Sequence, residues 1–408
     1  MDVRKLTDPR DWLESERVIA TAFLHPWDEG EAREKIKTQT EGRVPRTEES
    51  WGLFDDEGAM LTSISTLRRT FAFGGEALPA GEVHMVGSLP ERRGGGGVRM
   101  LMREILEDFR ARGDALAVLI PFSCAFYRKF GFEVASRMMR QRVAIDQLAG
   151  FACDLRVTRV GSEADLVPAR RFCDSIALGQ NLCELRGDDA WAWHDGDFGD
   201  ADFLHPERPR YAYVLWGEDG NPCAYVRFSF FYKPDDPFVG ELDVVDFVYN
   251  SPDALRAALG FLYRMRAKVS HLNFTLADTD LAMLVPEANR VEQKIDSHEM
   301  ARMLDVERLL RLMPHPVGEG SYVLDVRDAF LPELAGRWQV AFAEGKTTSV
   351  VRTDREADLE VDETVACQLV LGRISLADAL LRPGVHVTGN AETLACVFVR
   401  RPVYLPLG

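Results

Sequence analysis

The sequence Val83-His84-Met85-Val86-Gly87-Ser88-Leu89-Pro90-Glu91-Arg92-Arg93-Gly94-Gly95-Gly96-Gly97-Val98-Arg99-Met100-Leu101-Met102 joins a short apolar strand to a helix through four consecutive glycines. Apolar residues recur at helical spacing after the glycines, as in a helix packed on a core. Glycines let successive backbone N–H groups point inward, and a helix start adds unpaired N–H groups and the positive end of its dipole. The segment therefore predicts a cradle for an anion such as phosphate.

Arginines around the glycines favour pyrophosphate as the anion. Arg92, Arg93 and Arg99 supply charge and forked donors. A Walker A loop is excluded because no Lys-Ser/Thr follows the glycines, and the G-x-G-x-x-G pattern fails because Arg99 or Met100 occupies its last glycine position. The alternative is a glycine-rich turn that merely links strand and helix, but each glycine costs about 0.5–1 kcal/mol in chain entropy.

Composition bounds the class of protein. The 408 residues are enough for two or three domains, and 46% hydrophobic with 28% charged residues is typical of a soluble globular protein. The formal charge of −16 argues against general nucleic-acid binding and permits a cationic substrate. We find no signal-peptide core and no run of ~18 apolar residues, so no membrane span is predicted.

Cysteines and histidines predict a reduced protein without a metal. The seven cysteines are scattered and show no C-x-x-C spacing, which favours a reducing, cytoplasmic location. The eight histidines show no H-E-x-x-H pattern and no paired spacing with cysteines. No structural or catalytic metal site is therefore predicted.

The elements around the glycine segment predict an α/β domain. A helix is expected from about Pro9 to Leu24, followed by a meander of strands over 51–54, 60–67 and 71–73. The apolar run Leu116–Ile120 is expected to be a strand buried on both faces. Strand–helix–strand of this length implies a right-handed crossover between parallel neighbours. A strand over Arg137–Ile145 is expected to close the domain.

A second motif follows the buried strand, Pro121-Phe122-Ser123-Cys124-Ala125-Phe126-Tyr127-Arg128-Lys129-Phe130-Gly131-Phe132-Glu133. Together the two segments resemble motifs A and B of the GNAT acyltransferases. Motif A, R-x-x-G-x-G/A after a strand ending in V-x-x-P, holds the pyrophosphate of acetyl-CoA. Arg93-x-x-Gly96 fits the distance from Pro90, and Arg92-x-x-Gly95-x-Gly97 is the alternative register. Motif B, F-Y-x-x-x-G-F, implies that Tyr127 lies beside the acyl thioester; a merely packed aromatic is the alternative.

The rest of the chain predicts two further units. A hairpin over 210–231, a strand over 240–249, a helix capped by Ser251 and a strand over 272–276 repeat the pattern without the glycines or paired arginines. This indicates a second, degenerate GNAT-like unit. From Met303 onward, strands over 322–326, 336–342 and 359–361 and helices near 363–371, after Ser375 and over 391–399 predict an α+β module.

This architecture resembles the enhanced-intracellular-survival (Eis) family of N-acetyltransferases, whose third domain has a sterol-carrier-protein fold. The implied fold class is α/β plus α+β. It comprises a CoA-binding GNAT domain over 1–148, a degenerate GNAT-like domain over 149–295 and a sterol-carrier-protein-like domain over 296–408. The resemblance also implies acetyl-CoA as cosubstrate, no metal, and a homo-oligomer assembled as a hexamer.

The resemblance further implies site residues. The general acid is Tyr127, and the general base is the terminal carboxylate of Gly408. Contacts to CoA carry over to Val86, Gly87, Ser88, Arg93, Gly94, Gly95, Gly96, Gly97, Val98, Arg99, Phe122 and Ser123. The chain departs from the family pattern in two places: Gly94 stands where another arginine is common, and glycine replaces the usual terminal aromatic residue.

The first helix and the loop after it are expected to wall the acceptor pocket. Its expected lining residues are Trp12, Phe23, Trp27, Asp28, Glu29 and Met85. A capping turn with solvated acids is the alternative for Asp28 and Glu29.

The implied chemistry is direct transfer. No cysteine lies in a recognisable nucleophile setting, so the primary amine of a cationic small molecule (aminoglycoside-like or polyamine), or of a lysine, attacks the thioester itself. A base deprotonates the amine, and a phenol of reference pKa about 10 protonates the departing thiolate, whose reference pKa is about 8.5. The alternative from another class is a lipid-binding or scaffold protein that uses the third domain, with inactive GNAT units.

Overall fold

The structure is a computed structural model that describes residues 1–41, 48–187, 191, 210–233, 236–297 and 299–405. The described chain forms two compact units. One contains the described residues within 1–135 and 299–401 together with residue 405, and the other contains the described residues within 136–297 and residues 402–404. Within these ranges we find no helix that is both long and apolar enough to cross a membrane.

The first sheet lies in the first unit and has seven strands. They are β1 Asp2–Lys5, β2 Glu49–Phe54, β3 Met60–Phe73, β4 Glu76–Ser88, β5 Leu116–Leu119, β6 Glu133–Val134 and β14 Met300–Met303. Their order across the sheet is β1-β2-β3-β4-β5-β14-β6. The helices of this part of the chain are α1 Pro9–Phe23, α2 Glu29–Thr40, α3 Gly97–Ala111 and the short α4 Cys124–Tyr127.

Helix α3 forms because its apolar residues recur on one face, and that face lies in the core of the first sheet. Its buried residues are Leu101, Met102, Ile105, Leu106 and Phe109. Gly113, at φ 87°, follows the helix end. β4 and β5, which precede and follow α3, pair in parallel. The predicted strand–helix–strand unit with parallel neighbouring strands is confirmed.

Two strands are exchanged between the halves of the chain. The strand predicted over Arg137–Ile145 is present as β7, Met138–Ala144, but it pairs within the second sheet. The prediction that it closes the first domain was therefore wrong. β14 pairs between β5 and β6 instead, and all four of its residues are buried. Strands adjacent in sequence usually pair, whereas here β14, which is apolar at three of its four residues, takes the position beside β5. The domain boundaries after residues 148 and 295 stay predictions.

The second sheet lies in the second unit. Besides β7 it contains β8 Arg156–Arg159, β9 Arg210–Trp216, β10 Pro222–Lys233, β11 Asp236–Tyr249, β12 Val269–Leu276 and β13 Glu292–Asp296, in the order β13-β7-β12-β11-β10-β9-β8. Helices α5 Glu163–Leu178 and α6 Pro252–Tyr263 accompany them. Oγ of Ser251 caps α6 by accepting from the amide of Ala254 at 3.1 Å. The predicted hairpin and second strand–helix–strand unit are confirmed.

The third sheet lies in the first unit and has five strands. They are β15 Glu319–Arg327, β16 Gly336–Ala343, β17 Lys346–Arg352, β18 Leu359–Asp362 and β19 His386–Val387, in the order β17-β16-β15-β18-β19. Helices α7 Val306–Leu312, α8 Glu363–Val370, α9 Leu376–Ala379 and α10 Ala391–Val397 accompany them. The predicted α+β module and the cap at Ser375 are confirmed. β17, β19 and α7 were not predicted.

A fragment ending at residue 148 is expected not to fold cooperatively. The fragment lacks β14. The backbone groups of β5 are therefore exposed on the side where β14 pairs, and β6 has lost its partner strand. Thermal denaturation followed by circular dichroism tests this, with the full chain as the control. A sharp unfolding transition of the fragment would contradict the prediction.

Candidate active site

A cavity of about 680 Å³ lies in the first unit, where the carboxyl end of β4 meets the start of α3 and the turn that follows β5. Its lining residues are Ala22, Phe23, Val86, Ser88, Arg92, Arg93, Gly94, Gly96, Gly97, Val98, Arg99, Phe122, Phe126, Lys129 and Phe130. Nine of the twelve predicted CoA contacts are among them. Gly87, Gly95 and Ser123 belong to the same segments but are not lining residues.

The loop before α3 requires glycine for two separate reasons. Gly94 and Gly96 have φ of 84° and 79°, a backbone conformation that other residues resist. Gly97 begins α3 where the helix approaches the sheet closely. A Cβ atom at Gly97 would lie 2.6 Å from Oγ1 of Thr62 on β3 and 2.9 Å from Cδ2 of Leu53 on β2. Larger residues in this loop would therefore strain the backbone or displace α3.

The cavity is cationic. Arg92, Arg93, Arg99 and Lys129 line it, and its described lining includes no carboxylate. Arg93 is tethered, since its Nη2 donates to the carbonyl of Ala22 at 2.9 Å. The start of α3 adds unpaired N–H groups and the positive end of the helix dipole. In a chain of net charge −16, this concentration of positive charge indicates an anion site.

The carboxyl end of β4 is irregular where it reaches the cavity. Its described pairing with β5 ends at Glu82, opposite Val118. The register with β3 shifts around Met85, whose φ of 47° lies in the left-handed region. An extra residue of this kind bends a strand and re-aims the chain beyond it. Val86 and Ser88, just past the shift, line the cavity.

Tyr127 ends α4 and is buried in an aromatic cluster. Its ring centroid lies 5.1 Å from that of Phe126 and 5.5 Å from that of Phe122, two lining residues. Oγ of Ser123 caps α4 by accepting from the amide of Phe126 at 3.3 Å. Burial raises the pKa of the Tyr127 phenol, so this group stays protonated at neutral pH and can donate a hydrogen bond. The ring of Tyr127 is thus packed between other aromatic rings, as in the alternative interpretation. The catalytic role of its hydroxyl stays a prediction.

The end of α1 supplies one wall of the cavity. Gly87 makes this approach possible, because a Cβ atom there would lie 2.8 Å from Cδ1 of Ile19 and 3.0 Å from Cβ of Ala22. Phe23, one of the predicted acceptor contacts, lines the cavity. Trp27 and Met85, two others, are exposed and are not among the lining residues.

The remaining predicted acceptor contacts have structural partners. The indole of Trp12 packs against a core cluster and donates to the carbonyl of Leu6 at 3.0 Å. Oδ1 of Asp28 caps α2, accepting from the amide of Gly30 at 2.8 Å. Glu29 pairs with Arg33 one turn along α2. The capping turn considered as the alternative for Asp28 is therefore present, and none of these three residues lines the cavity.

The predicted base, the carboxylate of Gly408, lies outside the described residues. The last described residue, Leu405, is fully buried. Within the described ranges, no group of three or more His, Cys, Asp or Glu side chains is placed to hold a metal ion.

The sequence predictions missed several lining residues. Phe126 and Phe130 are four residues apart, and their ring centroids lie 5.3 Å from each other; this spacing within the second motif was the available signal. Lys129 lies beside them, with Nζ 5.7 Å from the Phe126 ring centroid. Ala22 had no signal in sequence, because its place depends on the packing of α1.

Comparisons with known protein families agree with this geometry. Residues 2–135 match an acetyltransferase (GNAT) domain, residues 185–310 match a second acetyltransferase (GNAT) domain, and residues 306–406 match a sterol carrier protein domain. The first match contains the cavity and Tyr127.

Relatives of similar length exist. A Streptomyces avermitilis protein named an uncharacterized N-acetyltransferase is 27% identical over 401 residues, covering 92% of this chain and 90% of the relative. The crystal structure of a GCN5-related N-acetyltransferase from Anabaena variabilis has a TM-score of 0.82 at 18% identity, covering 98% of both chains. Eis1 from Mycobacterium abscessus has a TM-score of 0.79 at 20% identity, covering 99% of this chain and 98% of that one.

These two structures share the fold of the whole chain. The family matches identify the type of each domain along the chain: two GNAT domains and then a sterol carrier protein domain. The protein is an acetyltransferase built from two GNAT domains followed by a sterol carrier protein domain.

Proposed function

We propose that the protein is an N-acetyltransferase that moves the acetyl group of acetyl-CoA directly to a primary amine, either of a cationic small molecule such as an aminoglycoside or polyamine, or of a lysine. The observation that carries this proposal is the cationic cavity of the first GNAT domain, which has a glycine loop and a helix start on one side and buried Tyr127 beside its other wall. We also propose membership of the Eis family, for which the shared fold with Eis1 is the support.

The residues of the cavity fit acetyl-CoA. Gly96 and Gly97 line the cavity at the start of α3, where a helix has unpaired backbone N–H groups. Arg92, Arg93, Arg99 and Lys129 provide charge for phosphate oxygens. The volume of about 680 Å³ is within the usual range for small-molecule sites. Val86 and Ser88 offer backbone groups past the point where β4 stops pairing with β5.

The bound cosubstrate supplies an activated acetyl thioester, and the chain supplies orientation and protons. Backbone groups of β4 hold the acyl arm and polarise its carbonyl. Tyr127 donates a hydrogen bond to the sulfur as negative charge develops there. Because burial raises the pKa of the Tyr127 phenol, hydrogen-bond donation is favoured, and complete proton transfer to a thiolate is less favourable than it would be for an ordinary phenol.

The base in this proposal is the carboxylate of Gly408, which the resemblance implies. A free α-carboxyl has a reference pKa of about 3.3–3.7, so the site must raise it for an efficient base at neutral pH. Residues appended after Gly408 are expected to abolish turnover by displacing the carboxylate, while acetyl-CoA binding is retained. Steady-state kinetics of tagged and tag-cleaved enzyme measure this, and full activity of the tagged enzyme would refute the terminal base.

The acceptor is proposed to be cationic because the chain carries a net charge of −16. Asp28 and Glu29 are already engaged in a helix cap and an ion pair, so they are weaker candidates for amine binding than the sequence suggested. The hexamer stays a prediction.

A lipid-binding or scaffold protein is the competing function, and the sterol carrier protein domain is the observation in its favour. Mass spectrometry of molecules that co-purify with the protein separates the two. CoA or acetyl-CoA supports the transferase, whereas bound lipid without CoA supports the carrier.

A further inference from the structure

Arg302 is the one charged residue of β14, the strand that inserts between β5 and β6 of the first sheet. Its guanidinium forms an ion pair with Asp328, which follows β15. The two side chains are 1% and 2% exposed. Replacing a buried ion pair by apolar residues of similar volume is often neutral for stability. The pair is therefore weak evidence of a contribution to stability, and its other contacts indicate what it holds in place.

The second contact of Arg302 reaches the turn that carries Tyr127. Nη1 of Arg302 donates to the carbonyl of Phe130 at 2.6 Å. Gly131 follows with a φ of 77°, and a side chain there would overlap the guanidinium. The amides of Gly131 and Phe132 bond back to the carbonyls of Arg128 and Tyr127. The guanidinium thus supports a closed turn that begins at Tyr127.

Asp328 fixes the other side of the pair. Its Oδ1 accepts from the amides of Phe330 at 3.0 Å and Leu331 at 2.8 Å. The Phe330 ring centroid lies 5.4 Å from that of Phe130. The guanidinium carbon of Arg99 lies 4.9 Å from the same Phe330 centroid. Phe130 and Arg99 both line the cavity. The segment 328–331 therefore packs behind two of its walls.

The far end of the turn is held in a similar way. Glu133 is 1% exposed and accepts from Arg128 within the turn, with Nη2 at 2.7 Å. Its other oxygen accepts from Nη2 of Arg382, in the third domain, at 3.0 Å. The residues from Tyr127 to Glu133 are thus fixed at two points by side chains from beyond residue 299.

We propose that Arg302, held by Asp328, is a positioning residue for Tyr127: through the Phe130 carbonyl it fixes the turn that carries the phenol. The inference rests on the proposed function, since it assigns Arg302 to the same reaction. A forked guanidinium can bind a carboxylate and a carbonyl at once, which an ammonium group does less well. On this account the strand exchange brings a residue from the later part of the chain to the catalytic turn.

The decisive variant replaces both charges, Arg302→Met with Asp328→Asn. Methionine fills the space of the arginine stem, and asparagine keeps an oxygen for the amides of Phe330 and Leu331. Because the positive and the negative charge are removed together, neither member of the pair is left as an unpaired buried charge. We expect the variant to fold with a Tm near that of the parent and to keep the KM for acetyl-CoA. Its kcat is expected to fall about tenfold to 100-fold, the size of a small misplacement of a catalytic group.

The control removes the same two kinds of charge from a more exposed ion pair, Arg337→Met with Asp325→Asn. This ion pair joins β15 and β16 at 3.2 Å in the same domain. The kcat of the control variant is expected to stay at the parent value. Arg302→Lys is the conservative variant, and its kcat is expected to lie between those of the parent and the Arg302 and Asp328 double variant. If the double variant does not fold, Arg302→Lys decides: a lower kcat at parental Tm supports the proposal, and an unchanged kcat overturns it.

Hydrogen exchange provides a readout that does not depend on activity. The amides of Gly131 and Phe132 are expected to exchange faster in the Arg302 and Asp328 double variant than in the parent or the control. A folded double variant with full kcat overturns the inference. If the parent itself transfers no acetyl group, the proposed function fails. The exchange data still decide whether Arg302 fixes the turn. Unchanged exchange of these amides in the double variant overturns that claim.

Discussion

Replacing Gly96 by aspartate is expected to abolish measurable acetyl-CoA binding while the fold survives. The new carboxylate would lie at the helix start that is proposed to hold pyrophosphate. The backbone of the aspartate would also have to adopt the φ of 79° that Gly96 has. Two like charges about 4 Å apart repel by roughly 4 kcal/mol at an effective dielectric constant of 20, which is equivalent to a loss of about 1000-fold in affinity. Backbone strain of about 1–3 kcal/mol lowers the free energy of unfolding, in the free and the bound protein alike.

Calorimetric titration with acetyl-CoA measures the loss. Gly75→Asp is the matched control, because Gly75 also has a positive φ, of 83°, and open space around it, but lies in the turn between β3 and β4 rather than at the cavity. Both variants bear the same kind of strain and the same added charge. Unchanged affinity of the Gly96 variant would show that the glycine loop is not the pyrophosphate site.

Replacing Tyr127 by phenylalanine is expected to lower kcat by roughly 100-fold or more, the usual contribution of a positioned acid. Affinity for acetyl-CoA and Tm are expected to stay close to the parent values, since the aromatic ring and its packing are kept. Because burial raises the pKa of the phenol, the parent kcat should show no loss from Tyr127 ionisation as pH rises toward 10.

The kinetic control is Tyr213→Phe. Tyr213 is another phenol in an aromatic cluster, with its ring centroid 4.8 Å from that of Phe261 in the second sheet's core, and burial also raises its pKa. Its loss should leave kcat unchanged. A Tyr127 variant as active as this control would reduce Tyr127 to a packing residue.

Much of the first domain could be predicted from sequence because its signals are local. The glycines, the apolar face of α3 and the second motif lie within about fifty consecutive residues, and the structure brings nine of the twelve predicted contacts to one cavity. The second half was predicted as strand–helix–strand for the same reason, from caps and hydrophobic periodicity.

What could not be predicted depends on contacts between distant residues. β7 follows the second motif directly, and no pattern in its seven residues indicates that it pairs with β12 and β13 rather than with β5. Arg302 reads in sequence as an ordinary strand residue, although its partners are Phe130 and Asp328. Trp12 and Asp28 were predicted to line the acceptor pocket because they are aromatic and acidic. In the structure Trp12 donates to the carbonyl of Leu6 and Asp28 caps α2.

The central claim is tested most directly by release of free CoA thiol from acetyl-CoA in the presence of an aminoglycoside, a polyamine or a lysine peptide. The account predicts release that saturates with at least one of these amines, is lost in the Gly96→Asp variant and is strongly reduced in the Tyr127→Phe variant. Release that no amine stimulates, from a protein that binds no acetyl-CoA in solution, would contradict it.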